Sequence, residues 1–128
     1  MTEIPVLLGH INSLNHLDNA QLLTIVSEAR ARFLESIGFS EKDVEGAEII
    51  VADTALQYRS EAFRGETMQV EMGAVDFNAF GCDLAWRMAD KVSGREVARG
   101  RTGIVFYDNE TRRKVAVPSG FRQRFEND

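Results

Sequence analysis

Between residues 19 and 37 the apolar positions crowd more closely than one helical stripe requires: Ala20, Leu22, Leu23, Ile25, Val26, Ala29, Phe33 and Leu34. Their spacings of three and four predict an α-helix, and their breadth predicts a first half buried nearly all round. Asp18 or Asn19 serves as N-cap and Gly38 as the C′ stop. Gln21 and Thr24 form a narrow uncharged line that continues at helical spacing to Glu28. Downstream the period changes to two. "TMQVEMGAV" (67–75) puts Met68, Val70, Met72 and Ala74 on one face, and "CDLAWRMAD" (82–90) repeats the pattern with Cys82, Leu84, Trp86 and Met88. The β-branched "AEIIVADTALQYRS" (47–60) and "REVARGRTGIVFYD" (95–108) read as longer strands, with a hairpin at "VSG" (92–94). "IPVLLG" (4–9) reads as a short strand with Pro5 at a sheet edge. "PSGFRQRF" (118–125) reads as a short terminal helix beginning after Pro118.

Strand, long helix, then four strands with short connections predicts an α+β fold in one domain, residues 1–128. One sheet and one helix cannot cover both sheet faces, so another subunit is expected to close the open surface. Composition narrows the classes. A net charge of −5 argues against binding driven by nucleic-acid phosphates. The single Cys82 rules out an internal disulfide and any multi-cysteine zinc site, and no metal site is expected. Cys82, Trp86 and the methionines sit on alternating core faces and read as packing. There is no basic-then-apolar leader and no apolar run near the ~18 residues of a membrane span, so a cytoplasmic location without membrane contact is expected.

The segment just before the helix is anomalous. "HINSLNHLDNAQLL" (10–23) gathers His10, Asn12, Asn15, His16, Asp18 and Asn19 where a helix needs one cap. Taken alone, Asn12 and Asn15 would serve loop backbone, Asp18 and Asn19 would be caps, and the histidines would be structural. His10 keeps that reading. The wider stretch "NSLNHLDNAQLLTIVSEAR" resembles the hotdog-fold thioesterases of the 4-hydroxybenzoyl-CoA and acyl-CoA type, whose helix start runs D-x-x-x-H-V-N-N-A and continues to E-x-A-R. His16, Asn19, Ala20, Glu28, Ala29 and Arg30 fall on matching positions without a gap. "VADTALQYRSEAFRGETMQVEM" and "VARGRTGIVFYD…VAVPSGFRQRF" are similar to the family's later strands and tail, so the likeness spans nearly the whole chain. It departs at two functional positions: the catalytic carboxylate four residues before the histidine falls on Asn12, and Asp18 replaces the first residue of the asparagine pair.

The resemblance implies an antiparallel sheet wrapped around the helix, a homodimer or homotetramer, and hydrolysis of an acyl-CoA or acyl-carrier thioester. Coenzyme A would enter as part of the substrate, with no other cofactor. Such hydrolysis needs a water, a base and donors for an oxyanion, and a helix N-terminus offers free amides. Asn12 and His16 would orient water and thioester, while Asn15, Asp18 and Asn19 would surround the carbonyl. Asn12 as an amide is no base. Glu28 ranks first for that role, on the premise that burial raises its pKa, ahead of His16 and Asp18. Arg59, Arg64, Arg99 and Arg101 would meet the coenzyme A phosphates. Phe77 and Phe80 fit an acyl slot or a sheet cover equally. The alternative is a non-catalytic acyl-CoA or small apolar ligand-binding module that has lost its acid at Asn12. A hotdog dehydratase ranks lower, for want of that group's histidine–proline signature.

Overall fold

The structure, a computed structural model, describes residues 1–126. A six-stranded antiparallel sheet is built from β1 (Thr2–Pro5), β2 (Glu48–Tyr58), β3 (Thr67–Val75), β4 (Gly81–Asp90), β5 (Glu96–Asp108) and β6 (Arg113–Lys114). Its order is β1-β3-β4-β5-β2, with the two-residue β6 pairing with the end of β5. The long helix α1 (Asn19–Ser36) lies against β1 and β3, and α2 (Ser119–Glu126) closes the far end. This is the sheet-around-helix arrangement expected from the sequence.

The period-two segments form strands because alternate side chains reach a common apolar layer. Met68 and Val70 of β3, Leu84, Trp86 and Met88 of β4, and Ile104 and Phe106 of β5 are buried on the helix side. Trp86 donates its indole N–H to Thr102 Oγ1 at 3.3 Å, which satisfies the one polar atom that its burial would otherwise strand. The core divides in two. One cluster joins the first half of α1 (Leu22, Ile25, Val26, Ala29) to β3, β4 and Val97. The other joins Leu34 to Ile104, Phe106, Val117 and Phe121. Cys82 sits in the second cluster, and burial pushes its thiol up to about 12, so it is no nucleophile near neutral pH.

Three expectations need correction. Residues 4–9 are not one strand: β1 ends at Pro5 and residues Leu8–His10 form a single 3₁₀ turn, with His10 Nδ1 accepting the Leu7 amide at 2.9 Å. That bond confirms His10 as structural. The first half of α1 is not enclosed all round, because Ala20, Thr24, Ser27 and Glu28 are exposed and Leu23 is 39% exposed. Nor is Glu28 buried. Its side chain is 51% exposed and accepts from Arg32 at 3.1 Å, and Arg32 also bonds the Glu3 carbonyl in β1.

The long edge strand β2 is bare. From Ile50 to Ala55 every residue is exposed, Ile50 and Val51 each at 41%, and its outer backbone groups pair with no strand among the described residues. Apolar edges of this length are templates for strand pairing.

Glu96 joins the two faces of the sheet. Its carboxylate is 16% exposed and lies 2.6 Å from Arg99, 2.7 Å from Arg87 and 3.6 Å from Arg59. The Arg99 and Arg87 guanidiniums, Arg99 foremost, hold its carboxyl at about 2 against an ordinary 4.5. A depressed carboxyl stabilises the fold fully above its unfolded value and loses that contribution as pH falls to its folded one. Wild type is therefore expected to be more stable than Glu96→Gln at pH 6, with the gap closing between about pH 4.5 and 2. Urea unfolding of both proteins across that range measures it.

Candidate active site

The polar segment before α1 folds into a tight turn. Asn12 Oδ1 accepts the amides of Leu14 (3.0 Å) and His16 (3.3 Å), and the Asn12 amide donates to the His16 carbonyl at 2.8 Å. Asn15 occupies the left-handed region at φ 65°, where asparagine is among the few tolerated residues. Asn12 and Asn15 thus build the turn, and the Asn12 side-chain oxygen is already engaged. This local hydrogen bonding accounts for much of the asparagine surplus.

Asp18 is the N-cap. Its Oδ2 accepts from the amides of Ala20 (3.0 Å) and Gln21 (3.4 Å), and its own amide donates to the His10 carbonyl. A carboxylate so engaged has Oδ2 committed to the start of the helix. The cap also consumes two of the amides expected to face a carbonyl. Among the described residues, the Asn19 amide makes no hydrogen bond, and it stands at the tip.

A cleft of about 350 Å³ reaches that tip. Leu17, Asn19 and Leu22 form one wall, and the end of β2 with the following turn, Tyr58 to Ala62, forms the other. The walls are pinned together: the Leu17 amide donates to the Ala62 carbonyl at 2.7 Å, and His16 pairs with Phe63 across a single antiparallel bridge. His16 stands edge-on to the Phe63 ring, with centroids 5.0 Å apart at 90°. Its Nδ1 lies 3.0 Å from Glu61 Oε2. A carboxylate only accepts, so Nδ1 carries the hydrogen.

The fold thus gathers Asn19, Arg59 and Glu61 around one cleft, with His16 against Glu61. It does not bring Glu28 there. Nine residues of helix separate Glu28 from the tip, roughly 13 Å along the axis, and its Arg32 partner ties it toward β1. Arg59 lines the cleft and Arg64 is exposed in the next turn. Arg99 and Arg101 project from the sheet face opposite α1, although Arg99 shares the Glu96 carboxylate with Arg59 of the cleft. There they border a shallow trough of about 750 Å³ over the small residues Gly73, Ala85 and Ala55. Arg99 is held by Glu96, and Arg101 by Asp76 and Asp83. Phe77 is settled as a cover: it packs on Phe121 and Phe125 under α2, away from the cleft.

Glu61 was missed in the sequence. A glutamate in a turn after a strand reads as a solvated charge, and only the long-range pairing of residues 16 and 63 places it beside His16.

Comparison with known proteins agrees with this architecture. A 1,4-dihydroxy-2-naphthoyl-CoA thioesterase from Synechocystis superposes with a TM-score of 0.87 at 18% identity, over 98% of this chain and 94% of that one. A Staphylococcus aureus protein solved in complex with CoA gives 0.85 at 22%, over 96% and 78%. A DHNA-CoA thioesterase from Staphylococcus aureus gives 0.83 at 18%, over 96% and 83%. At such identities the likeness is one of fold, and the fold is the hotdog. No curated protein matches the sequence. The model of the thioesterase-like superfamily matches residues 6–125, nearly the whole chain, and with the helix tip and its cleft in place the conclusion is direct: the chain belongs to the thioesterase-like superfamily.

Proposed function

We propose that this protein hydrolyses an acyl-CoA thioester to the free acid and coenzyme A. The observation that carries the reading is the cleft at the tip of α1, lined by Asn19, whose amide makes no hydrogen bond among the described residues. A thioester carbonyl seated there would point its oxygen at that amide and at the positive end of the helix dipole, the donors its developing negative charge requires. Leu17, Leu22, Tyr58, Ala62 and Val97 offer an acyl group an apolar surface. Arg59, which lines the cleft, and the exposed Arg64 in the next turn would meet the coenzyme A phosphates. Arg99 shares the Glu96 carboxylate with Arg59 and so would stand near the same phosphates, whereas Arg101 would reach the nucleotide only if an assembly folded it round the edge. The reaction draws on no metal, and superfamily membership supports it.

The working unit we propose is a homodimer, with β2 paired to β2 of a second copy. The bare edge supports this, as do the exposed Leu23, Ile50 and Val51. The two dimers of a homotetramer would then meet over the trough. A cytoplasmic site of action fits these properties, and among the described residues no helix is long and apolar enough to cross a membrane.

Purified protein incubated with short, long and aromatic acyl-CoA substrates tests the activity, with release of the coenzyme A thiol as readout. Turnover of at least one is expected, and silence across the panel would sink the reading. The rival reading, a binding module without its acid, parts from ours at Asn12→Asp. A lapsed enzyme would gain hydrolysis strongly. In our account the introduced carboxylate keeps an oxygen engaged by the same two backbone amides, so the rate changes by less than about threefold, or about 0.7 kcal/mol.

A further inference from the structure

The hydrolysis proposed above lacks a base in the place the superfamily pattern leads one to look. Asn12 cannot take a proton, Asp18 is committed to the cap, and Glu28 is paired with Arg32 outside the cleft. One carboxylate remains that lines it. We propose that Glu61 is the catalytic base, held in position by His16, so that the acid absent at residue 12 is supplied from the turn after β2.

Geometry supports this at each link. Glu61 lines the same cleft as Asn19, so the two border a common space from opposite walls. Among the described residues, His16 is the only partner of its carboxylate, and it engages Oε2 alone, leaving Oε1 for a water. His16 is itself fixed. Its ring stands against Phe63, and its backbone is tied to Asn12 and bridged to Phe63. A carboxylate in an open turn would otherwise sample many rotamers, and a 3.0 Å contact with a braced imidazole removes much of that freedom. His16 is therefore a positioning residue and Glu61 the catalytic one.

The reaction balances without a co-reactant. Glu61 takes a proton from water as the water oxygen attacks the thioester carbon. The carbonyl electron pair moves to the oxygen facing the Asn19 amide. Collapse of that intermediate restores the carbonyl and breaks the C–S bond, and the departing coenzyme A thiolate takes the proton from Glu61. The products are one carboxylic acid and one thiol, and the carboxylate is regenerated.

The test compares wild type, Glu61→Gln, Glu61→Ala, Glu28→Gln, His16→Ala and His16→Gln by steady-state kinetics on the best substrate of the panel. The Glu61 side chain is 61% exposed, so both changes there should leave Tm and near-ultraviolet circular dichroism unaltered. A positioned base contributes about 100- to 10,000-fold, so both Glu61 variants should lose at least about 100-fold in kcat with KM within a few-fold. His16→Ala should lose roughly tenfold in kcat, and His16→Gln, which keeps a donor, should recover most of that loss. Glu28→Gln should stay near wild type. Full activity in the Glu61 variants with loss in Glu28→Gln overturns the assignment and makes Glu28 of a second copy the base. A wild type that turns over nothing overturns the hydrolase reading itself, and this role with it.

Discussion

Phe121→Ala is expected to cost about 3–5 kcal/mol of folding stability, the largest loss expected of a single core truncation. The ring is fully buried and meets four other phenylalanines: Phe125 at 5.1 Å between centroids, Phe106 at 5.2 Å, Phe39 at 6.0 Å and Phe77 at 6.1 Å. These partners come from α2, β5 and the segments after α1 and β3, so one side chain joins four parts of the chain. Truncation leaves a cavity that no single neighbour can fill, because each is held by its own element. Urea unfolding monitored by circular dichroism measures the loss. Phe80→Ala is the control: that ring is 45% exposed, and its removal should change stability by only about 0.5 kcal/mol.

The second large effect concerns the open edge. Ile50→Lys combined with Val51→Lys should abolish the proposed β2–β2 dimer, as read by sedimentation velocity against wild type. Hydrolysis should fall by at least tenfold, because the far end of the same strand borders the cleft. Edge lysines resist strand pairing: burying them costs desolvation, and two copies bring like charges together. Both wild-type side chains are 41% exposed in the single chain, so the changes should leave the isolated fold nearly intact. A variant that remains dimeric would show that the chains associate elsewhere.

Much of the fold was legible because it is written in local periods. Met68, Val70, Leu84, Trp86 and Met88 alternate, and all are buried. Asp18 caps α1, and Gly38 follows its end at φ 88°, as the start and stop signals indicated. Strand order was not legible, since the β1–β3 and β2–β5 pairings join segments distant in sequence. Apolar identity also misled where burial did not follow. Leu7 and Leu8 extended the first strand on paper, yet they are 57% and 64% exposed around the 3₁₀ turn. Leu23 broadened the helix stripe in the same way.

The site divides along the same line. Asp18 as cap and Asn19 at the helix tip were legible because their signal is local, a run of short polar residues at a helix start, whereas His16 was singled out by the resemblance. The resemblance guided the rest, and it was least informative where this chain departs from its pattern. Glu28 looked suitable by helical spacing, but periodicity does not reveal that Arg32, one turn on, would claim its carboxylate. Glu61 carried no periodic or compositional mark. Its meaning comes from the bridge between residues 16 and 63, a tertiary contact.

The most direct measurement is a crystal structure with a non-hydrolysable acyl-CoA thioether ketone bound. The ketone oxygen should lie within about 3 Å of the Asn19 amide nitrogen, with a water between the carbonyl carbon and Glu61. An analogue seated instead in the trough on the opposite face of the sheet, with the tip of α1 empty, would contradict the account.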